Sequence, residues 1–347
     1  VAVPSKKEEG HDDVEWRCPM STLPPAPASL VDASGQLHPF GRYRGAVGDV
    51  STARWDRGAA WPRRLQRKAW LYAGAYHEDF MVGYAVADAG YLGTAFVYVY
   101  DRARKVRVEE SLEIPFGFAE GFQPSMRGAW SLGFGGRQWR IDPEGDGLRF
   151  RYDGRRISLD LRVPSLDGGM TTLAPALHRP FNHTFKQLCL AAEATVRIDA
   201  RRFERSLPHG AAVDFTLGYP PRDTRWNWAC LQGTTDDGRP FGLNLVAYFN
   251  DALENALWLG DELIPLGSAA FTIGRPADQG PWTLRVAELD LTLTFIPEGA
   301  RQDRKNLGLL KHDFIQPFGR FEGSFRADGK IVRVSGHGVV EDHTSRW

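Results

Sequence analysis

A chain of 347 residues is long for one compact domain and comfortable for two. Its 42% hydrophobic and 25% charged residues are ordinary for a globular protein that buries a sizeable core, so neither disorder nor a disulfide scaffold is needed. Lys plus Arg equals Asp plus Glu at 43 each, and the whole-molecule field offers no general attraction to nucleic acid or anionic lipid.

Residues 1–40 carry PPAPAS, scattered charge and few periodic apolar positions, and read as an irregular arm over the main body. The first residues, VAVPSKKEEGHDDVEW, lack the apolar stretch of a secretory leader, and nowhere is there a run of about 18 apolar residues. Three cysteines, Cys18, Cys189 and Cys230, stand far apart with no CxxC pair, which argues against a zinc site or disulfide framework. The expectation is a reducing, cytoplasmic setting without integral membrane association.

From Lys68 onward short runs rich in Val, Tyr, Phe, Trp, Leu and Thr repeat at strand length: KAWLYAGAY, FMVGYAVA, TAFVYVY, KVRVEESLEI, RQWRID, LRFRY and RRISLDLRV. In the last, Ile157, Leu159, Leu161 and Val163 alternate with polar residues; LDLTLTF repeats the pattern at Leu289, Leu291, Leu293 and Phe295. The arginines between Arg137 and Arg162 alternate with apolar residues as a solvated strand face does, and no nucleic-acid partner is expected. Asp153-Gly154, Asp237-Gly238 and Asp328-Gly329 each separate two strand-like runs and predict tight antiparallel hairpins. RRLQRKAW and DALENALW are the short pieces with helical character. Roughly twenty short strands predict an all-β chain of two closed or nearly closed antiparallel barrels. The seam falls in PSLDGGMTTLAPALHRPFNHT, where proline and glycine gather, giving an arm over 1–40, a first barrel over 41–175 and a second over 176–347.

The stretch from Asp223 to Leu266 concentrates three tryptophans and several side-chain amides around one predicted hairpin. With Asp237-Gly238 as a two-residue loop, Cys230 lies opposite Leu245, Trp228 opposite Ala247 and Trp226 opposite Phe249 on one apolar face. Arg225, Asn227, Asn244 and Tyr248 then share the other face, a grouping that depends on loop length because a one-residue slip exchanges faces. Two readings fit: a ligand wall with hydrogen-bonding groups beside flat aromatic surfaces, or ordinary core whose amides satisfy strand ends. Asn255 and Trp258 extend the same candidate wall.

Acidic candidates come from three places. Glu254 shares a side with Trp258 in helix or strand alike, and is either a proton donor raised by apolar surroundings or half of a salt bridge, for example to Arg225. Asp88 precedes AGYLG at a strand mouth, where it either protonates a ligand or accepts turn hydrogen bonds, with Tyr91 as a neighbouring ligand-facing aromatic. The EDH near the C-terminus places Glu341 and His343 on one face of an extended chain and Asp342 on the other. His178 and His183 have i, i+5 spacing with no third ligand, so no metal site is expected. No GxSxG elbow occurs and no GxGxxG joins a strand to a helix, which argues against serine-hydrolase and dinucleotide readings. No cofactor is expected.

Several segments in order, ADAGYLGTAFVYVYD, VDFTLGYPPRDTRWNWACLQG, GRPFGLNLVAYFNDALENALW, LTLTFIPEGARQDRKNLGLL and FGRFEGSFRADGK followed by GVVEDHTSRW, together resemble a mainly bacterial family, domain-of-unknown-function family 2804. That family is placed in the lipocalin-like superfamily with carotenoid hydratases and AttH proteins. The resemblance spans about Lys68 to Trp347 and implies two tandem lipocalin-like barrels with a lipophilic ligand site. Hydratases, cyclases and non-catalytic binders share that superfamily, so the fold does not choose a reaction. The expectation is a barrel cavity holding a polyketide, terpenoid or fatty-acid-like molecule, with cofactor-independent hydratase, dehydratase or cyclase chemistry; the alternatives are a carrier or sensor, or a protein-interaction scaffold.

Overall fold

A computed structural model describes residues 23–56, 61–115, 125–306 and 308–347. Cys18 and the first half of the predicted arm lie outside the described residues. The remainder is almost entirely strand, arranged as two curled antiparallel sheets that form a barrel and a half-barrel. The first sheet runs, in spatial order, through Val106–Pro115, Leu92–Asp101, Phe80–Asp88, Lys68–Tyr76, Arg201–Gly218, Arg179–Ile198, Ile157–Val163, Gly147–Asp153, Arg137–Glu144 and Trp130–Phe134, with Met170–Ala176 and Gly41–Arg44 branching from the Arg179–Ile198 strand. The second runs through Glu262–Pro265, Ala256–Leu259, Pro240–Ala247, Asp223–Thr235, Lys330–Arg346, Lys311–Ala327, Leu291–Asn306, Trp282–Val286 and Ala269–Ile273.

The break between sheets therefore falls between Gly218 and Asp223, not at 175/176. Proline and glycine in 164–184 mark a strand that branches off, and the chain then adds two long strands to the first sheet before leaving it. The described part of the arm is irregular, tied down by bridges from Pro25 to Arg44 and from Ser29 to Asp49 and by the buried side chain of Leu30. RRLQRKAW divides into the short helix Trp61–Gln66 and the start of a strand at Lys68. DALENALW divides likewise into the 3-10 turn Asn250–Ala252 and the strand Ala256–Leu259.

Asp328-Gly329 is the two-residue hairpin turn its sequence predicts, with φ of 48° and 72° and Ala327 paired to Lys330. Asp237-Gly238 is not. Gly238 alone takes positive φ, at 83°, and Thr235 bonds to Arg239 across a loop one residue longer. The extra residue shifts the register so that Trp228 faces Val246, Cys230 faces Asn244 and Asn227 faces Ala247. One residue of slip exchanges faces. Asn244 and Val246 thus join the tryptophans, while Leu243 and Leu245 join Ala229 and Leu231 inside the second sheet.

Each sheet encloses its own apolar core. Leu71, Ala73, Phe80, Val82, Val97, Val213 and Phe215 point into the first, and Leu231, Leu243, Leu284, Leu293, Phe321 and Val340 into the second. Along the seam the alternate residues do not meet water either, because there the outer faces of the two sheets pack on each other through Tyr72, Tyr76, Tyr98, Trp228, Cys230, Phe318 and Val339. Burial on both faces explains why KAWLYAGAY, FMVGYAVA and TAFVYVY lack a polar alternation, whereas ISLDLRV, wet on one side, keeps it.

Phe318 is fully buried in this inter-sheet layer, with its ring 5.4 Å from Tyr98 and 4.8 Å from Tyr100. Phe318→Ala is expected to cost about 3–5 kcal/mol in urea unfolding, whereas Ile331→Ala, at an exposed position, should stay within about 0.5 kcal/mol. Equal effects of the two changes would show that the sheets do not depend on this contact. Burial also pushes His183 and His343 down to about 3, and His312 and His337 to about 4. Below the unfolded histidine value the unfolded chain binds protons that the native state refuses, so stability falls as pH drops from about 6.5 toward those folded values. Asp214 and Glu341, raised to about 6 and about 7 by burial, oppose that slope with two groups against four. His183→Leu should make the acid side of a pH series of urea midpoints shallower; an unchanged slope would contradict the depressed imidazole.

Candidate functional site

Between the two sheets, not inside either one, lies a chamber of about 190 Å³. The ligand space anticipated within a barrel is displaced to the inter-sheet seam because apolar cores occupy the interiors. Outward side chains of five first-sheet strands form one wall: Trp70 and Tyr72, Ala85 and Ala87, Thr94 and Phe96, Lys186, Asp214 and Thr216. Trp226, Trp228, Val246, Phe249, Phe314, Gln316, Glu341 and His343 form the other. A bulge between Pro297 and Gly299 reverses the parity of its strand, so Leu293 and Phe295 point inward while Arg301 and Asp303 reach the chamber. Trp70 stacks on Trp226 across the seam at 5.9 Å, and Tyr72 meets Trp228 edge-on at 5.5 Å.

Several ionisable side chains are deeply buried here. Lys186 Nζ lies 2.6 Å from Asp214 and 3.0 Å from Glu254, and 5.4 Å from the centre of the Trp228 ring. Both carboxylates hold its proton on firmly despite the cost of burial. Asp214 is raised to about 6, because burial outweighs its ammonium partner and Glu254 and Glu341 repel a further negative charge. Glu341 is raised to about 7 by burial, although the Trp226 indole N–H at 2.7 Å and the Gln316 amide at 3.1 Å both favour its carboxylate form. A carboxyl group that is half protonated near neutrality can give or take a proton. His343 packs on Trp226 at 3.8 Å, bonds Ser345 through Nε2 and stays neutral.

The structure brings Asp88, Glu254, Glu341, His343, Trp226 and Trp228 to this one chamber. Asp88 also accepts the Gly90 N–H at 2.7 Å and pairs with Arg67 at 3.4 Å. Glu254 pairs with Lys186 and Asn250 and not with Arg225, because Arg225 lies on the exposed side over the ring of Tyr248, itself 69% exposed. Arg225 and Tyr248 are thus surface residues. Asp342 points away from Glu341 and His343 and accepts a hydrogen bond from Asn227 at 2.9 Å, so neither lines the chamber.

Three more candidates stand behind the wall. Asn244 accepts the Trp228 indole N–H at 2.8 Å and donates to the Glu254 carbonyl; Asn255 ties Val246 to Gly267. Trp258 donates to the Gly168 carbonyl at 3.0 Å within the inter-sheet layer. Tyr91, half-buried, receives the Lys68 ammonium on its ring face at 4.9 Å and lies off the lining. His178 is exposed in a turn and His183 buried, and among the described residues no group of three or more His, Cys, Asp or Glu side chains converges on a metal position. No described helix is long and apolar enough to cross a membrane.

Sequence reasoning missed Lys186, Asp214 and Gln316. A signal was present: AAVDFTLGY and HTFKQLCLA each place one charge inside an otherwise apolar strand, at a position that a sheet wet on one face would leave unremarkable. A second groove, of about 650 Å³, lies beside Leu257, Leu259, Leu289 and Phe325 of the second sheet, but its acids, Asp261, Glu262 and Glu288, are exposed.

No curated protein matches the chain in sequence. Among solved structures it is similar to kievitone hydratase from Nectria haematococca, at 11% identity over 92% of this chain and 97% of that one, with a TM-score of 0.51. A Nitrosomonas europaea protein assigned as AttH (14% identity, 80% and 92% covered, TM-score 0.48) and CghA in complex with Sch210972 (11%, 81% and 88%, 0.47) are also similar. Identities this low establish the lipocalin-like fold alone. The profile of one family matches residues 24–347, and the chain therefore belongs to the family described as a domain of unknown function (DUF2804).

Proposed function

We propose that the inter-sheet chamber binds a small lipophilic molecule, or the reacting end of a larger one, and that Glu341 supplies a proton to it without a cofactor. The observation that carries this reading is a carboxyl group poised near pH 7 within an aromatic enclosure. A cavity of about 150 Å³ is known to hold benzene, so about 190 Å³ suits one ring or a short branched chain. Polyketide and terpenoid fragments fit that size. The free thiols of Cys189 and Cys230 suit the reducing, cytoplasmic setting that goes with this proposal.

The chemistry is general acid–base catalysis on an unsaturated ligand. Glu341 donates its proton to an alkene carbon, and the Trp226 and Gln316 donors stabilise the carboxylate that remains. Water, or a nucleophile within the ligand, adds to the electron-poor carbon; Asp214 accepts the proton released. Addition of water is hydration, its reverse dehydration, and internal capture cyclisation. Holding a flexible ligand between Trp70, Trp226 and Phe249 adds the benefit of orientation. The relationship to a hydratase fold supports this choice of reaction class without naming a substrate.

A carrier role is the second reading, favoured by the fact that both Glu341 oxygens already accept protein hydrogen bonds. Lipophile extracted from the purified protein and returned to it in deuterated water separates the two. Deuterium incorporation that disappears in Glu341→Gln is expected for catalysis; none in either protein would leave the carrier.

Two further outcomes follow without a known substrate. The Trp226 indole N–H resonance should titrate with a midpoint near pH 7, since Glu341 becomes a full negative acceptor as pH rises, and the titration should vanish in Glu341→Gln. A signal flat across neutrality refutes the poised carboxyl group. Toluene should bind saturably, one per chain, and quench the chamber tryptophans, and Ala87→Phe should occlude it. Undiminished binding in that variant would place the ligand elsewhere.

A further inference from the structure

We infer that the chamber selects a ligand whose polar end donates a hydrogen bond, a hydroxyl or an ammonium group, and excludes carboxylates. This deepens the lipophile-binding reading and rests on it. The first observation is an excess of acids: Asp88, Asp214, Glu254, Asp303 and Glu341 line one enclosure with the cations Lys68, Lys186 and Arg301, and Lys186 is the one held against Asp214 and Glu254. The second is a buried acceptor without a partner. Asp214 Oδ2 accepts a hydrogen bond from the Lys186 ammonium, while Oδ1 has no hydrogen bond although the residue is only 6% exposed. A buried acceptor left in this state costs free energy that a donor on a ligand would recover.

Most donors that could greet a carboxylate are already committed. Trp226 and Gln316 donate to Glu341, Trp228 to Asn244, and Tyr98 to Gln316. Arg301 donates to Glu109 and is covered by the rings of Phe96 and Phe314 at 4.0 and 5.1 Å; Lys68 donates to the carbonyls of Leu65 and Ala89. His343 adds no cation: its Nε2 lies against Ser345, and its Nδ1, 3.5 Å from Glu341, makes no hydrogen bond. The aromatic walls favour the same ligand class, since ring faces attract cations and repel anions. A fatty-acid head group would meet three carboxyl groups, with only the Thr216 hydroxyl and the third N–H of Lys186, itself already held between two carboxylates, left to receive it.

The test compares one ring carrying different polar ends: toluene, benzyl alcohol, benzylammonium and phenylacetate, titrated calorimetrically into the full chain at about pH 7.5, where amine and acid are both charged. Benzyl alcohol and benzylammonium are expected to bind at least about tenfold more tightly than phenylacetate, the scale of one hydrogen bond to a charged acceptor. Asp214→Asn is expected to shrink the benzylammonium-to-phenylacetate ratio by about the same factor; an unchanged ratio overturns the assignment to Asp214 Oδ1. The wild-type series decides the matter if that variant does not fold. Phenylacetate binding as tightly as benzylammonium overturns the inference while leaving the lipophile reading intact. Failure of all four, toluene included, overturns both.

Discussion

Lys186 Nζ is the group on which the seam between the sheets depends. It belongs to the first sheet, where it sits directly across from Asp214 in the pairing register, and it reaches over to Glu254 of the second. Glu254 in turn accepts from Asn250, and Asn250 accepts from Asn182 of the first sheet at 2.9 Å, so a hydrogen-bonded path crosses the interface twice. Buried carboxylates without a cation are strongly disfavoured, and a buried cation without carboxylates equally so. Lys186 of the first sheet, already paired with Asp214, therefore supplies the cation that Glu254, from the second half of the chain, needs at this depth. Arg42 reinforces the joint by donating to the carbonyls of Ala252, Leu253 and Leu266.

The same seam sets the electrostatics of the chamber. Aromatic side chains of both sheets exclude water, which penalises charge, and Lys186 relieves that penalty at two of the three carboxyl groups. Glu341 lacks an ammonium contact and relies on an indole and an amide, weaker partners, so burial carries it to about 7, against about 6 for Asp214 beside Lys186. The arrangement resembles the general pattern in which neighbouring titratable groups are pushed apart by unequal surroundings.

Much of the architecture was legible in the residues. ISLDLRV announces a strand by strict alternation, as does LDLTLTF from Leu291 onward, its Leu289 and Asp290 instead closing a 3-10 turn; Asp328-Gly329 announces its turn because both residues must accept positive φ. Glu341 and His343 could be assigned to one face, and Asp342 to the other, from the two-residue period alone; the structure adds that the first face is the chamber. The face of Trp228 was not legible in the same way. Loop length sets hairpin register, and one additional residue beside Gly238 moved Asn244 beside the tryptophans and turned Leu245 inward. Tyr248 and Arg225 then fell outside, where they stack on each other.

Local chemistry thus determined the all-β character, most strand positions and the presence of a Trp-rich wall, because alternation, turn preference and side-chain size act over a few residues. Tertiary structure decided where the break between sheets falls, that the chamber lies between them, and that Lys186 and Asp214 belong to it. Those facts depend on which strands become neighbours across more than a hundred positions, as when Trp226 of one sheet meets Trp70 of the other. A lone charge inside an apolar strand signals that something must answer it, but only the folded chain supplies the answer.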